Sequence, residues 1–240
     1  MRDLAVRDLG RMRYSDALQI QHQIASERKA GQGVDHLLFV EHPHVVTMGR
    51  NGHAENVLVP EDALRRLGIE LHETDRGGDV TYHGPGQIVM YPVMDLREWK
   101  RDVGAFVRAI EQVLMDTLAD FGIESIRIPK CTGVWVGNAK VAAIGIHLSR
   151  WVSTHGVALN VTTDMDYFQY IVPCGIRKPV TSMAALGVHA GAESVKDALT
   201  KHFARIFDFQ EISNDRHRNA PDGREYRRGH VDQVAEEAWR

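Results

Sequence analysis

Three apolar strand candidates follow one another in close succession, Gly133–Gly137, Val141–Leu148 and Gly156–Val161, joined by short polar stretches such as Gly137-Asn138-Ala139 and Ser149-Arg150. Turns this short cannot hold the roughly dozen residues that a parallel crossover needs, so they dictate antiparallel hairpins. Further strand-like runs lie at Leu37–Glu41, Val45–Met48 and Gln87–Val93. Helical signals are equally local. Asp102 is a capping residue ahead of Val103, Phe106, Val107, Ile110, Val113, Leu114, Leu118 and Phe121, a three-four spacing that Gly122 terminates. A second helix is expected from Ser15 to Gly31, and a third from Ser194 with Val195, Ala198, Leu199, Phe203, Ile206 and Phe207 inward. The expected class is α+β: one domain with a mixed, largely antiparallel sheet packed with helices. Neither GxGxxG nor GxxxxGK[ST] follows a strand, which disfavours a doubly wound nucleotide fold.

The body of the domain is expected over residues 1–210. Residues 211–240 are dense in charge, contain Asn219-Ala220-Pro221-Asp222-Gly223 and have few large apolar side chains, so they read as a flexible tail. A terminal helix over 231–239 docking on the body is the alternative. Arg2, Asp3, Arg7, Asp8, Arg11 and Arg13 interrupt the amino terminus, so it has no apolar stretch for a signal peptide, and no segment suits a membrane span. With Cys131 and Cys174 the only cysteines, a reducing, cytoplasmic setting is expected. A formal charge of -3, without basic runs interleaved with aromatics in the body, gives no footprint for nucleic acid. The thirteen histidines form no HExxH and no CxxC pairing exists, so no metal site is expected.

Three segments have the composition of chemistry. Arg76-Gly77-Gly78-Asp79-Val80-Thr81-Tyr82-His83-Gly84-Pro85-Gly86-Gln87 combines glycines, which let backbone amides approach a ligand, with the donors Arg76 and His83. The same residues also suit a plain glycine-rich turn with His83 capping its own backbone. Lys140 heads a strand of small and apolar residues that includes Ala143, Ile144 and Gly145, so its ammonium stands either at a pocket mouth or in solvent. His155-Gly156-Val157 leads towards Pro173-Cys174-Gly175, whose thiol sits on a tight loop facing a cavity or is a buried spare cysteine.

Together these segments resemble the lipoyl(octanoyl) transferase family. The resemblance rests on Arg76-Gly77-Gly78, Thr81-Tyr82-His83, Gly84-Pro85-Gly86-Gln87 and Tyr91, followed in order by the G-x-x-K strand, His155-Gly156 and Pro173-Cys174-Gly175. It spans roughly residues 37–186. His44, where a small residue or proline is more usual, and the second thiol Cys131 depart from the pattern.

The resemblance implies a fold similar to biotin and lipoate protein ligases, and makes residues 1–210 an acyltransferase domain. Cys174 would be the thioester nucleophile and Lys140 the residue that tunes it. The acyl-binding residues would be Arg76, Gly77, Gly78, Asp79, Val80, Thr81, Tyr82 and His83, then Ala143, Ile144 and Gly145, then His155, Gly156 and Val157. No cofactor and no ATP are implied, the substrate arriving on the phosphopantetheine of acyl carrier protein. The implied acceptors are lipoyl domains of 2-oxoacid dehydrogenase acyltransferase subunits and the glycine cleavage H protein. Both kinds of partner are acidic in this family, so a basic rim of Arg177 and Lys178, backed by Lys130 and Arg150, is expected around the acyl tunnel.

Overall fold

The computed structural model describes residues 2–173 and 178–215. Cys174 and Arg177 lie outside the described residues, as does the tail from 216 onward. In chain order the elements are β1 (Asp3–Arg11), α1 (Tyr14–Lys29), β2 (Asp35–Glu41), β3 (Val45–Met48), α2 (Glu61–Arg66), β4 (Glu70–Glu73), β5 (Val80–His83) and β6 (Gln87–Val93). They continue with α3 (Val103–Asp120), β7 (Ile126–Ile128), β8 (Cys131–Val136), β9 (Ala139–Ser149), β10 (Val152–Asn160), α4 (Ala192–Ile206) and β11 (Glu211–Asp215).

Eight strands form one sheet in the order β11-β1-β2-β6-β10-β9-β8-β7, and β4-β3-β5 form a small second sheet. The pairings among β7, β8, β9 and β10 are all antiparallel, as short turns require. The expected α+β class, with a mixed and largely antiparallel sheet, is what the chain adopts. Among the named strands of the described residues, the parallel pairs are β1 with β2 and β11, and β3 with β4.

Helices cover both faces of the large sheet. On one face α3 and α4 pack on Leu37, Phe39, Met90, Val134, Val157 and Leu159. On the other, α1 packs on Leu38, Val40, Val89, Tyr91 and Ala158. Every residue of β10 is therefore buried, and the period-two alternation of a half-exposed strand is absent from it. The surest helix behaves as its sequence dictates: the Asp102 side chain accepts from Ala105 N at 2.8 Å, and Gly122 follows the last turn at φ +73°.

The differences from the sequence reading have a common cause. β1 was hidden by its charges: Asp3 and Arg7 alternate with Leu4 and Val6, which point inward with 0% and 2% exposure, and Asp8 on the inward face bonds Lys196 of α4. β5 lies within the glycine-rich segment, and β4, β7 and α2 are too short to show a period. The sheet also reaches past the boundary expected at residue 210, because Glu211–Asp215 pair with Asp3–Arg7. Among the described residues no helix is long and apolar enough to cross a membrane.

Candidate active site

The glycine-rich segment crosses the surface where the two sheets meet. Gly77 N donates to Ile146 O of β9 at 3.0 Å, while Arg50 N and Asn51 N donate to Arg76 O and Gly78 O at 2.9 and 3.1 Å. Backbones approach so closely that a Cβ on Gly145 would stand 2.8 Å from Gly77 O, which is why glycine is needed there. Arg76, 7% exposed, is turned away from solvent and holds Thr47 through Nε to Oγ1 at 3.0 Å and Nη2 to the carbonyl at 2.5 Å. It is thus a brace for the segment.

Beneath this crossing lies a narrow chamber of about 40 Å³. Arg76, Gly77, Gly78, Thr81 and His83 line it from one side, and Ala143, Ile144, Gly145, His155, Gly156 and Val157 from the other. Gly77, Gly78, Ile144 and Gly145 also line an open vestibule of about 720 Å³, so the two spaces share a wall. Asp79 and Lys140 belong to the vestibule wall. Val80 and Tyr82 alternate to the opposite face of β5 and pack with Val46, Leu64 and Phe168.

Asp79 accepts from His53 N at 3.0 Å and from Asn56 Nδ2 at 2.5 Å. Asn56 O in turn accepts from Val172 N at 2.8 Å, just ahead of Pro173. On the far side of residues 174–177, Pro179 O accepts from Lys140 N at 2.9 Å and Thr181 N donates to Lys140 O at 2.9 Å. The flanks of that segment are thereby tied to two walls of the vestibule.

Lys140 is 7% exposed. Its stem lies against Gly133, whose φ of +121° and missing side chain leave the room, and its Nζ is 4.9 Å from the Trp135 ring centroid. Lys178 Nζ is 5.1 Å from the same ring. Of the other expected rim residues, Lys130 lines the vestibule, as does Cys131. Arg150 sits in the β9–β10 turn at φ +51°.

The polar rings that line the chamber are tied into hydrogen-bonded chains. His83 Nδ1 donates to Gln87 Oε1 at 2.7 Å, Gln87 Nε2 donates to Asn160 Oδ1 at 2.9 Å, and Asn160 Nδ2 donates to Thr181 O at 3.0 Å. Burial pushes the His83 imidazole down to about 3, so the ring is neutral. His42 donates from Nδ1 to Met12 O at 2.8 Å, which leaves Nε2 to accept from Tyr91 OH at 2.7 Å. Burial takes His42 down to about 4 and raises Tyr91 well above the usual phenol range.

His155 carries the third set. Its Nε2 donates to Asp75 Oδ1 at 2.6 Å, Nδ1 accepts from Tyr14 OH at 3.2 Å, and its backbone N–H donates to Gln21 Oε1 at 2.7 Å. The other Asp75 oxygen is 3.4 Å from His147 Nε2. The hydrogen bond from His155 holds the Asp75 carboxyl well below the usual carboxylate range. Burial raises Tyr14 to about 12, so its hydroxyl is a donor and not a base at neutral pH. The binding residues expected from the sequence leave out Tyr14, Asp75, Val89, Tyr91 and Ala158; two of these had a signal, Asp75 directly before Arg76-Gly77-Gly78 and Tyr91 as part of the motif that carries the resemblance.

A model of the lipoyl protein ligase A/B catalytic domain matches residues 13–204. The chain belongs to this family. The match extends on both sides of the stretch on which the sequence resemblance rested, taking in α1 and most of α4. An octanoyltransferase from Solibacter usitatus (strain Ellin6076) is 65% identical over 212 residues, covering 88% of this chain and 96% of the relative. Lipoate-protein ligase A bound with ATP has a TM-score of 0.69 at 18% identity, over 91% of this chain and 90% of that one. A biotin protein ligase from Aquifex aeolicus in complex with biotin and ATP has a TM-score of 0.51 at 12% identity, over 87% and 71%. Those two structures share the fold expected from the sequence.

Proposed function

We propose that the Cys174 thiolate attacks the thioester of octanoyl acyl carrier protein, releasing the carrier's phosphopantetheine thiol, and that a lysine of a lipoyl domain then takes the octanoyl group from Cys174 as an amide. That the chain is an acyltransferase of protein lipoylation rests on its family and on its likeness to the octanoyltransferase of Solibacter usitatus. The observation that carries the finer scheme is Lys140: an ammonium 7% exposed, in the wall of the vestibule that shares Gly77, Gly78, Ile144 and Gly145 with the chamber, hydrogen-bonded through its backbone to the segment that follows residues 174–177.

A free thiol near pKa 8.5 is only a few per cent ionised at neutral pH, and lowering that value by about two units takes roughly 2.7 kcal/mol. An ammonium about 4 Å from sulfur supplies up to about 4 kcal/mol at an effective dielectric near 20. Lys140 gives its proton to the departing phosphopantetheine thiolate in the first half-reaction, and in the second the neutral amine takes the proton that the acceptor lysine must lose. Thioester gives way to amide, so no ATP and no other cofactor is required. Lys178, beside Lys140 on Trp135, and Lys130 in the vestibule wall give the mouth the positive charge that suits acidic carriers and acceptors, the glycine cleavage H protein included.

The test is intact-mass analysis after mixing the protein with octanoyl acyl carrier protein, without nucleotide. A gain of one octanoyl group, absent in Cys174→Ala, is expected. An adduct on Cys131 would reassign the nucleophile, and transfer only from free octanoate plus ATP would make the protein a ligase.

A further inference from the structure

Tyr14, His83 and Tyr91 line the chamber and take no part in the vestibule wall, and what lies behind each of them differs. His83 is backed by Gln87 and Asn160 in a buried hydrogen-bonded chain, and Tyr91 by His42, which is fully buried. Behind those two is packed interior. Tyr14 is itself only 2% exposed, yet its ring is 5.5 Å from that of His72, whose side chain is 32% exposed on the edge strand β4. Its ring therefore stands between the chamber and the rim of the molecule.

The ring is also held in place. Its hydroxyl donates to His155 Nδ1, His155 is fixed by Asp75, and the ring stacks on His83 with planes 11° apart. Side chains whose polar heads are tied down present a wall of fixed position, whereas an aliphatic floor could repack around an extra methylene.

We propose that Tyr14 is the gauge that sets the length of acyl chain the chamber accepts. This rests on the reading that the chamber holds the acyl chain. A chain longer than the gauge allows must displace the tyrosine and its hydrogen bond, and a rigid pocket discriminates by about tenfold or more per methylene. Replacing the ring with a small side chain opens the chamber towards His72, where longer chains find room.

Chain length is to be read in two ways on wild type, Tyr14→Ala, Tyr14→Leu and Tyr14→Phe. One is calorimetric binding of free hexanoate, octanoate, decanoate and dodecanoate; the other is intact-mass loading from acyl carrier protein bearing the same chains. The alanine and leucine variants are expected to move the optimum from octanoyl to decanoyl or dodecanoyl, erasing at least about a tenfold preference. Tyr14→Phe should keep the octanoyl optimum with weaker binding. A gain in use of longer chains cannot arise from misfolding, and the leucine variant carries the test if the alanine variant is insoluble. A folded leucine variant with an unchanged length profile in both assays would overturn the gauge. A profile that shifts for the free acids while no chain loads from carrier protein would leave the gauge standing and sink the donor. No binding and no loading by any of the four proteins would remove both the chamber and its gauge.

Discussion

In the chamber wall away from the vestibule, the polar side chains have defined partners: Tyr91 on His42, His83 on Gln87, Tyr14 on His155, and His155 on Asp75. At the mouth, two ammoniums crowd one indole, and the wall opens into a vestibule of about 720 Å³. The contrast separates two tasks. On the proposed function, measuring a hydrocarbon chain needs a floor that does not yield, which tied-down side chains supply. Burial keeps the His42 and His83 rings neutral there, while charge is held on Asp75 and on the Arg76 brace. On the same reading, passing that chain between two proteins needs room and positive charge.

The largest expected effect falls at the mouth. Lys140→Ala should slow octanoyl transfer by about 10²–10⁴ while the melting temperature changes little, measured by single-turnover kinetics beside thermal unfolding. Turnover close to wild type would erase the distinction between the two ends.

Acid should act on the floor. His42 and His83 titrate near 4 and 3 in the folded protein and near 6.5 when unfolded, so below that value the unfolded chain binds protons that the folded one refuses. Stability is accordingly expected to fall as pH drops, by about 4 kcal/mol between pH 7 and 5 for the two together. Urea unfolding across that range measures it, and a flat profile would show that the two rings are not held neutral.

A Cβ at Gly156 would stand 2.1 Å from Met90 O, so Gly156→Ala should force β10 from β6 and cost about 1–3 kcal/mol of stability by the same denaturation assay. The smallest effect is expected from Asp75→Asn. Its carboxylate is 41% exposed, and losing the charged hydrogen bond to His155 should cost about 1 kcal/mol. That should raise the KM for octanoyl carrier protein severalfold with kcat nearly constant; a drop in kcat alone would tie Asp75 to the mouth.

The architecture was legible where the governing interactions are local. Asp102 and the three-four spacing after it specify α3 within one turn of chain, and the short polar connections around β9 leave only hairpins. β1 was not legible, because its inward Leu4 and Val6 are outnumbered by the charged residues of the same strand. The glycine-rich stretch that the sequence singles out does line the chamber through Arg76, Gly77, Gly78, Thr81 and His83. The contact of Asp75 with His155 joins residues 80 positions apart, and Tyr14 is set against β10 by the packing of a whole helix. Such pairings come from strand order and helix docking, which no spacing rule encodes.

β5 sends Thr81 and His83 to the chamber and Val80 and Tyr82 to the small sheet's own interior, with its register fixed by pairing to β3. Deleting or inserting a single residue between Arg76 and Val80 would turn that strand over, exchanging a threonine and an imidazole for a valine and a phenol. Conservative replacements in this stretch alter one contact at a time. A change in its length would rebuild the whole wall, so spacing there is a stricter constraint than composition.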